Sequence, residues 1–156
     1  MKRVFSLMLV LMLVLTMTAC SGGQENTGGE EDGQNPVMNY VGEYVCGRAQ
    51  ILIGAAGTED ATVQVTWSSS AYEYSSWIIR GTFDSDTHTI KYEDGCRYDY
   101  VFEDENAEDP VETEVYTDGQ GTITFTDGDP LTLVWQDDKE DIAKDMVFEY
   151  VDVLQE

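Results

Sequence analysis

The chain is poor in the residue types on which many catalytic and metal sites depend. It has 1 histidine, 3 cysteines and 3 prolines among 156 residues, and 8 Lys and Arg against 31 Asp and Glu. A single histidine excludes metal sites built from several histidines and argues against a nucleophile–histidine pair. The formal net charge of −23 predicts a surface that repels nucleic acid. We therefore expect no nucleic-acid partner, no metal site and no cofactor, with weak calcium binding by the clustered carboxylates as the alternative.

No catalytic arrangement stands out among the remaining polar residues. The serines at 68–70 lack the Gly-x-Ser-x-Gly turn that exposes a nucleophile. Carboxylates are spread along the whole acidic chain, so no two of them stand apart as an acid–base couple. We predict that the protein has no catalytic residues and is not an enzyme.

The first 19 residues have the composition of an export signal. Lys2 and Arg3 precede an almost entirely apolar run from Val4 to Leu15. At helical rise this run spans about 18 Å, too short for a hydrocarbon core of about 30 Å but typical of a signal peptide. An uncleaved anchor helix over the uncharged residues 4–23 is the alternative, and the polar residues from Thr16 onward argue against it.

The residues after the apolar run carry a family resemblance. Residues 15–20, LTMTAC, resemble the lipobox of bacterial lipoproteins, in which small residues precede a cysteine. The resemblance implies that the signal peptide 1–19 is removed and that Cys20 is lipid-modified. It also implies a protein that is anchored to the cell membrane by this lipid and works outside the cytoplasm.

Residues 20–37 are predicted to be a flexible, lipid-anchored linker. The segment from Ser21 to Pro36 contains no apolar residue and is rich in glycine and glutamate. Such a segment cannot bury enough surface to offset the entropy of ordering. The folded domain is therefore predicted over residues 38–156, which is long enough to form a core without a metal.

Two cysteines, Cys46 and Cys96, remain when the lipid-bearing Cys20 is set aside. Outside the cytoplasm an even pair of cysteines usually becomes a disulfide. The alternative is a redox or metal site, but the chain has no Cys-x-x-Cys motif. We predict a Cys46–Cys96 disulfide.

The domain alternates short apolar segments with turn signals, the pattern of an all-β fold. The predicted strands are 38–46, 49–54, 61–67, 72–83, 87–93, 96–103, 111–117, 121–126, 131–136 and 146–153. Asp94-Gly95 and Asp118-Gly119 are predicted to be tight hairpin turns, and residues 137–145 one short helix near the C-terminus. We predict an antiparallel meander that closes into a small β-barrel, its first strand paired with its last. A β-sandwich is the alternative.

The first strand resembles two families of small β-barrels. Gly42-x-Tyr44 is similar to the Gly-x-Trp start of lipocalins, with Tyr in place of Trp, which implies a lipocalin-like barrel. Tyr44-Val45-Cys46 resembles the opening strand of membrane-bound lysozyme inhibitors, which implies an inhibitor-like function.

Tyrosine is the abundant aromatic residue, with 9 copies against 3 Trp and 5 Phe. Strands that expose tyrosine on one face can bind sugars, peptides or proteins. The candidate binding residues are Tyr72, Tyr74, Tyr92, Tyr98 and Tyr100. The alternative is that these side chains fill the interior of the barrel.

These patterns favour a monomeric, non-catalytic binding module at the cell surface. Its ligand would be a small molecule or a partner protein, and the acidic surface favours a basic protein. The alternative function is a structural envelope lipoprotein without a specific ligand.

Overall fold

The computed structural model describes residues 35–104 and 107–152. The predicted signal peptide 1–19, the lipid-attachment residue Cys20 and the linker up to residue 34 lie outside the described residues. Within the described residues a 3-10 helix, Pro36–Tyr40, precedes eight strands. The strands are β1 (Gly42–Cys46), β2 (Ala49–Ala56), β3 (Asp60–Ser68), β4 (Glu73–Asp84), β5 (Thr89–Val101), β6 (Val111–Thr126), β7 (Thr132–Asp137) and β8 (Phe148–Val151).

Each strand pairs antiparallel with the next, and β8 returns to pair with β1, so the sheet is a closed ring. The predicted all-β antiparallel meander, with its first strand beside its last, is confirmed. A second sheet packed on the first, as in a β-sandwich, is not found among the described residues. The seam between β7 and β8 is short, because it consists of the pairs Thr132–Glu149 and Leu133–Phe148.

The strands form where apolar and polar residues alternate, because successive side chains of a strand point to opposite faces. In β3, Ala61, Val63 and Val65 are buried, whereas Thr62 and Gln64 between them are not. The buried faces meet inside the ring. The largest fully buried side chains there are Trp77, Trp135, Tyr44, Phe148, Ile51, Ile79, Ile90, Ile123 and Leu133.

The two predicted hairpin turns at Asp-Gly are wrong, because β5 and β6 each run straight through them. Gly95 and Gly119 lie opposite each other in the β5–β6 ladder, where the register shifts. A Cβ atom at Gly95 would come within 2.9 Å of the Tyr92 ring, and one at Gly119 within 2.8 Å of the Tyr116 ring. These glycines therefore make room for tyrosine rings inside a continuous ladder rather than turning the chain.

The folded region begins before residue 38, where the sequence placed its start. Asn35 caps the 3-10 helix by accepting a hydrogen bond from the Val37 backbone N–H, and Val37 is fully buried. The Asn35 side chain also donates to the Asp60 backbone carbonyl at 2.8 Å. Residues 35–37 thus belong to the core rather than to the linker.

The predicted C-terminal helix is not found, since residues 138–147 form turns between β7 and β8. Acidic side chains in this segment accept hydrogen bonds from backbone N–H groups. Asp137 accepts from the Lys139 N–H at 2.8 Å, and Asp138 accepts from the Gln120 N–H at 2.7 Å. The second of these bonds fixes the segment against β6. The segment is also held by Ala143, which is buried.

The predicted Cys46–Cys96 disulfide is not formed, and both cysteines are free thiols. Cys46 ends β1 and packs against the core, whereas Cys96 lies in β5 and lines an outer groove of the sheet. Three strands separate β1 from β5 in either direction around the ring. A disulfide needs Cα atoms within about 7 Å, and residues on opposite sides of the ring do not meet this requirement. Counting cysteines could not reveal that placement.

Candidate functional site

The interior of the ring holds a polar network centred on Asp137. The Tyr92 hydroxyl donates to one Asp137 oxygen at 2.7 Å and accepts from the Trp135 indole at 2.8 Å. The Tyr116 hydroxyl accepts from the Trp77 indole at 2.9 Å and donates to the other Asp137 oxygen at 3.3 Å. Burial raises the pKa of Tyr92 and of Tyr116. Because every donor here has an acceptor, the network stabilises the fold rather than offering a reactive group.

A half-buried cation lies beside this network. The Arg97 guanidinium lies 5.1 Å from the Trp77 ring centroid and forms ion pairs with Glu140 and, at 3.0 Å, with Asp99. Burial alone would lower the pKa of Arg97, but the hydrogen bonds and charges of the two carboxylates raise it overall. Arg97 is therefore fully engaged and is not an anion-binding group.

Metal-ligating side chains are not grouped into a candidate metal site in the described part of the chain. No three His, Cys, Asp or Glu side chains there are placed to hold a metal ion. His88 lies in the turn before β5, with Nδ1 3.5 Å from an Asp127 oxygen. No helix within the described residues has the length and apolar character to cross a membrane.

The outside of strands β2 to β5 carries an apolar groove. Four outward residues follow one another across these strands, each paired with the next: Leu52, Gln64, Ile78 and Cys96. Leu52 is 42% exposed and Ile78 48% exposed. With Arg80 and Asp94 at its border, the groove encloses about 610 Å³. We call this surface the outer groove.

Three of the five predicted tyrosines extend the outer groove along β4 and β5. Trp77 is fully buried in β4, so Tyr74 and Ile78, three positions before it and one after, face outward. The Tyr74 and Tyr100 rings stack at 4.6 Å with an interplanar angle of 7°. Tyr98 lies between Tyr100 and Cys96 on the same side of β5. We call Tyr74, Tyr98 and Tyr100 the tyrosine face.

Carboxylates of β6 border the tyrosine face. Glu112 pairs with Tyr100 and Glu114 with Tyr98 in the β5–β6 ladder. The Tyr100 hydroxyl donates to Glu112, which raises the pKa of Tyr100 to about 12. The face is therefore apolar in its rings and acidic at its β6 margin.

The other two predicted tyrosines lie elsewhere. Tyr92 points into the ring and belongs to the Asp137 network. Tyr72 lies in the turn before β4, where it is 46% exposed and its carbonyl accepts from the Phe102 N–H at 2.8 Å.

The outer groove itself was missed from the sequence, although the sequence contains a signal for it. Leu52 stands between Ile51 and Ile53, and Ile78 between Trp77 and Ile79. In a strand with one buried face, three successive apolar residues must place at least one of them outside. Two such triplets, on the strands β2 and β4 that flank β3, therefore indicate an exposed apolar surface.

Comparisons of this chain with protein-family models, with curated proteins and with solved structures found no match.

Proposed function

We propose that the chain is a surface lipoprotein, tethered through a lipid on Cys20, whose ring is a small lipocalin-like barrel that binds a partner protein without catalysis. The outer groove together with the tyrosine face carries the proposal. An inhibitor-like role, in which binding blocks the partner's own activity, is one form that such a module can take.

The outer groove leaves apolar side chains in water. Soluble proteins rarely expose contiguous apolar patches unless another molecule covers them. Leu52 and Ile78 are both more than two-fifths exposed and are separated only by Gln64. Tyrosine is enriched at protein interfaces because its ring is apolar and its hydroxyl bonds to polar groups.

A protein fits this surface better than a small molecule does. Small-molecule sites bury most of the ligand's surface inside a cleft, and the interior that a lipocalin would use is filled by Trp77, Trp135 and Tyr44. The outer groove is open to solvent and continues into the tyrosine face. The net charge of −23 favours a partner with a basic surface.

The lipocalin-like part of the proposal is supported by the first strand. Tyr44, at the position of the lipocalin tryptophan, is fully buried, and its hydroxyl donates to the Tyr40 carbonyl at 2.9 Å. The 3-10 helix is thereby joined to β1 at one end of the ring. The Tyr in place of Trp remains a departure from that family.

The test uses the full-length chain in its native cells, with a photoreactive phenylalanine analogue at Ile78. We expect illumination to give one discrete cross-linked species, because Ile78 lies at the centre of the outer groove. Placing the same group at Glu149, which is exposed on β8, provides the matched control. Adding Tyr98→Ala to the Ile78 variant is expected to reduce the yield.

A smear of products common to Ile78 and Glu149, or no product at either, would contradict the binding role and favour a structural envelope lipoprotein. The tether is tested separately with Cys20→Ala. This variant is expected to lose incorporation of labelled fatty acid, and unchanged incorporation would refute the lipid on Cys20.

A further inference from the structure

Strand β6 is longer than the neighbour it pairs with. It spans Val111–Thr126, but β7 pairs with it only from Gly121 to Thr126. From Val111 to Asp118, one side of β6 faces β5. No described strand pairs with the opposite side of this stretch. The edge at Gln120, just beyond this stretch, is already occupied, because the Asp138 N–H donates to the Gln120 carbonyl at 2.8 Å. We call the uncovered stretch, Val111–Asp118, the β6 edge.

An uncovered strand edge presents a row of backbone donors and acceptors that can pair with another chain. The side chains of the β6 edge are exposed except for Tyr116, which packs against the core, and they include the apolar Val111 at 50% and Val115 at 46%. Glu112 and Glu114 alternate with these and with Thr113. Along the β6 edge, anionic side chains at the even positions 112 and 114 therefore alternate with uncharged ones at the odd positions 111, 113 and 115.

Resting on the proposed binding role, we propose that the β6 edge receives an extended segment of the partner, with Lys or Arg at alternate positions, as a ninth strand. Opposite charges directly across neighbouring strands are favourable. The alternate lysines would lie beside Glu112 and Glu114, and the residues between them beside Val111 and Thr113. Backbone bonds would supply affinity, and the charges would select the partner.

A second copy of this chain is a poor occupant of the same edge. Two β6 edges in antiparallel register would bring Glu112 and Glu114 of both copies together, and like charges across strands are destabilising. The net charge of −23 on each copy adds long-range repulsion. The acidic residues therefore both discourage self-association and attract a basic strand.

The β6 edge is continuous with the tyrosine face. Glu112 and Glu114 are the direct neighbours of Tyr100 and Tyr98. A strand added to β6 would lengthen the same outer surface by one strand. A partner bound to the outer groove could thus place an extended arm along β6 without leaving the sheet.

The experiment titrates a ten-residue peptide of alternating Lys and Val against the full-length chain in detergent solution, with fluorescence anisotropy for affinity and amide hydrogen exchange for location. We expect binding to slow exchange at alternate residues of the β6 edge, because only every second backbone N–H faces the added strand. A peptide with the same sequence but N-methylated at alternate residues is expected to bind at least about tenfold more weakly.

Charge reversal provides the matched variants. Glu112→Lys with Glu114→Lys is expected to weaken the Lys–Val peptide roughly tenfold and to confer binding of a Glu–Val peptide. Glu149→Lys, which makes the same kind of change on β8, is expected to leave the affinity within about twofold.

Equal affinity for the N-methylated peptide, or unchanged exchange over 111–118, would overturn the proposal by reducing the binding to diffuse charge attraction. These results are independent of the Ile78 cross-link. Strand addition at β6 without a discrete cross-link at Ile78 would contradict the outer groove alone, whereas the cross-link without strand addition would contradict the β6 edge alone.

Discussion

Two regions of the molecule use the same residue type in opposite ways. Tyr92 and Tyr100 belong to one strand, yet Tyr92 points into the ring and bonds to Asp137 and Trp135, whereas Tyr100 points outward and stacks on Tyr74. Inside, each polar group is satisfied by another part of the same chain. Outside, the rings and the neighbouring apolar residues are left open. Position in the ring, rather than amino-acid type, separates the groups that hold the fold from those available to a partner.

The largest expected effect that separates the two regions is alkaline unfolding. Burial raises the pKa of Tyr44, Tyr92 and Tyr116 above the value near 10 of an unfolded chain. The native state then holds these protons more tightly than the unfolded state, so their contribution to stability is complete below pH 10 and is lost as the pH rises further. Each pKa unit corresponds to about 1.4 kcal/mol.

Urea denaturation at pH values from 8 to about 12, with tyrosinate absorbance recorded in parallel, measures this loss. We expect the free energy of unfolding to stay level at the low end of that range and to fall from about pH 10 upward. Ionisation of all tyrosines near pH 10 with an intact fold would show that the interior is open to solvent.

The next largest effect is expected between two adjacent residues of β4. Trp77→Ala removes a fully buried side chain and should lower the free energy of unfolding by about 3–5 kcal/mol. Ile78→Ala removes a side chain that is 48% exposed and should cost less than about 1 kcal/mol. Denaturant titration of both variants checks the difference, and similar losses would show that the outer groove is part of the core.

A smaller contrast is expected when one hydroxyl is removed from each side. Tyr92→Phe leaves an Asp137 oxygen and the Trp135 indole without their partner and should cost about 1–3 kcal/mol. Tyr100→Phe removes a bond at the surface, and its stability should be unchanged within about 0.5 kcal/mol. Equal effects in denaturant titrations would remove the distinction between a structural and an available tyrosine.

The smallest effect is expected on the open surface. Arg80 forms an ion pair with Asp60 at 3.0 Å, but its side chain is 69% exposed. Solvent and salt screen such pairs, so Arg80→Ala should change the free energy of unfolding by no more than about 0.5 kcal/mol. Since Arg80 borders the outer groove, the same variant is expected to change the yield of the Ile78 cross-link while leaving the free energy of unfolding nearly unchanged.

The strands could be predicted where apolar and polar residues alternate regularly along the sequence, because this alternation matches the buried and exposed faces of the strand. β3 is found at 60–68 against a prediction of 61–67, and the pairing of the first strand with the last is present. The helix at 137–145 could not be excluded from sequence. In the folded chain this segment is tied to β6 by the bond between Asp138 and Gln120, a contact that the sequence pattern does not reveal.

The division of the tyrosines could not be predicted for a similar reason. Even-numbered Tyr92, Tyr98 and Tyr100 would share one face in a regular strand. The β5–β6 register shifts between Tyr92 and Gly95 and again before Tyr98. These irregularities move the inward side from Tyr92 to odd-numbered Arg97, and the opposed glycines, Gly95 and Gly119, lie among them.

The pairing of β8 with both β1 and β7 determines when the ring can close during folding. β1 near the start of the domain takes as its partner β8 near the end, and β8 is joined to β7 through only two residue pairs. During synthesis every intermediate that lacks β8 would leave the edge of β1 unpaired. The sheet therefore closes only when its final strand is in place. Loss of residues 148–151 would open the ring and leave one edge of β1 and one edge of β7 unpaired.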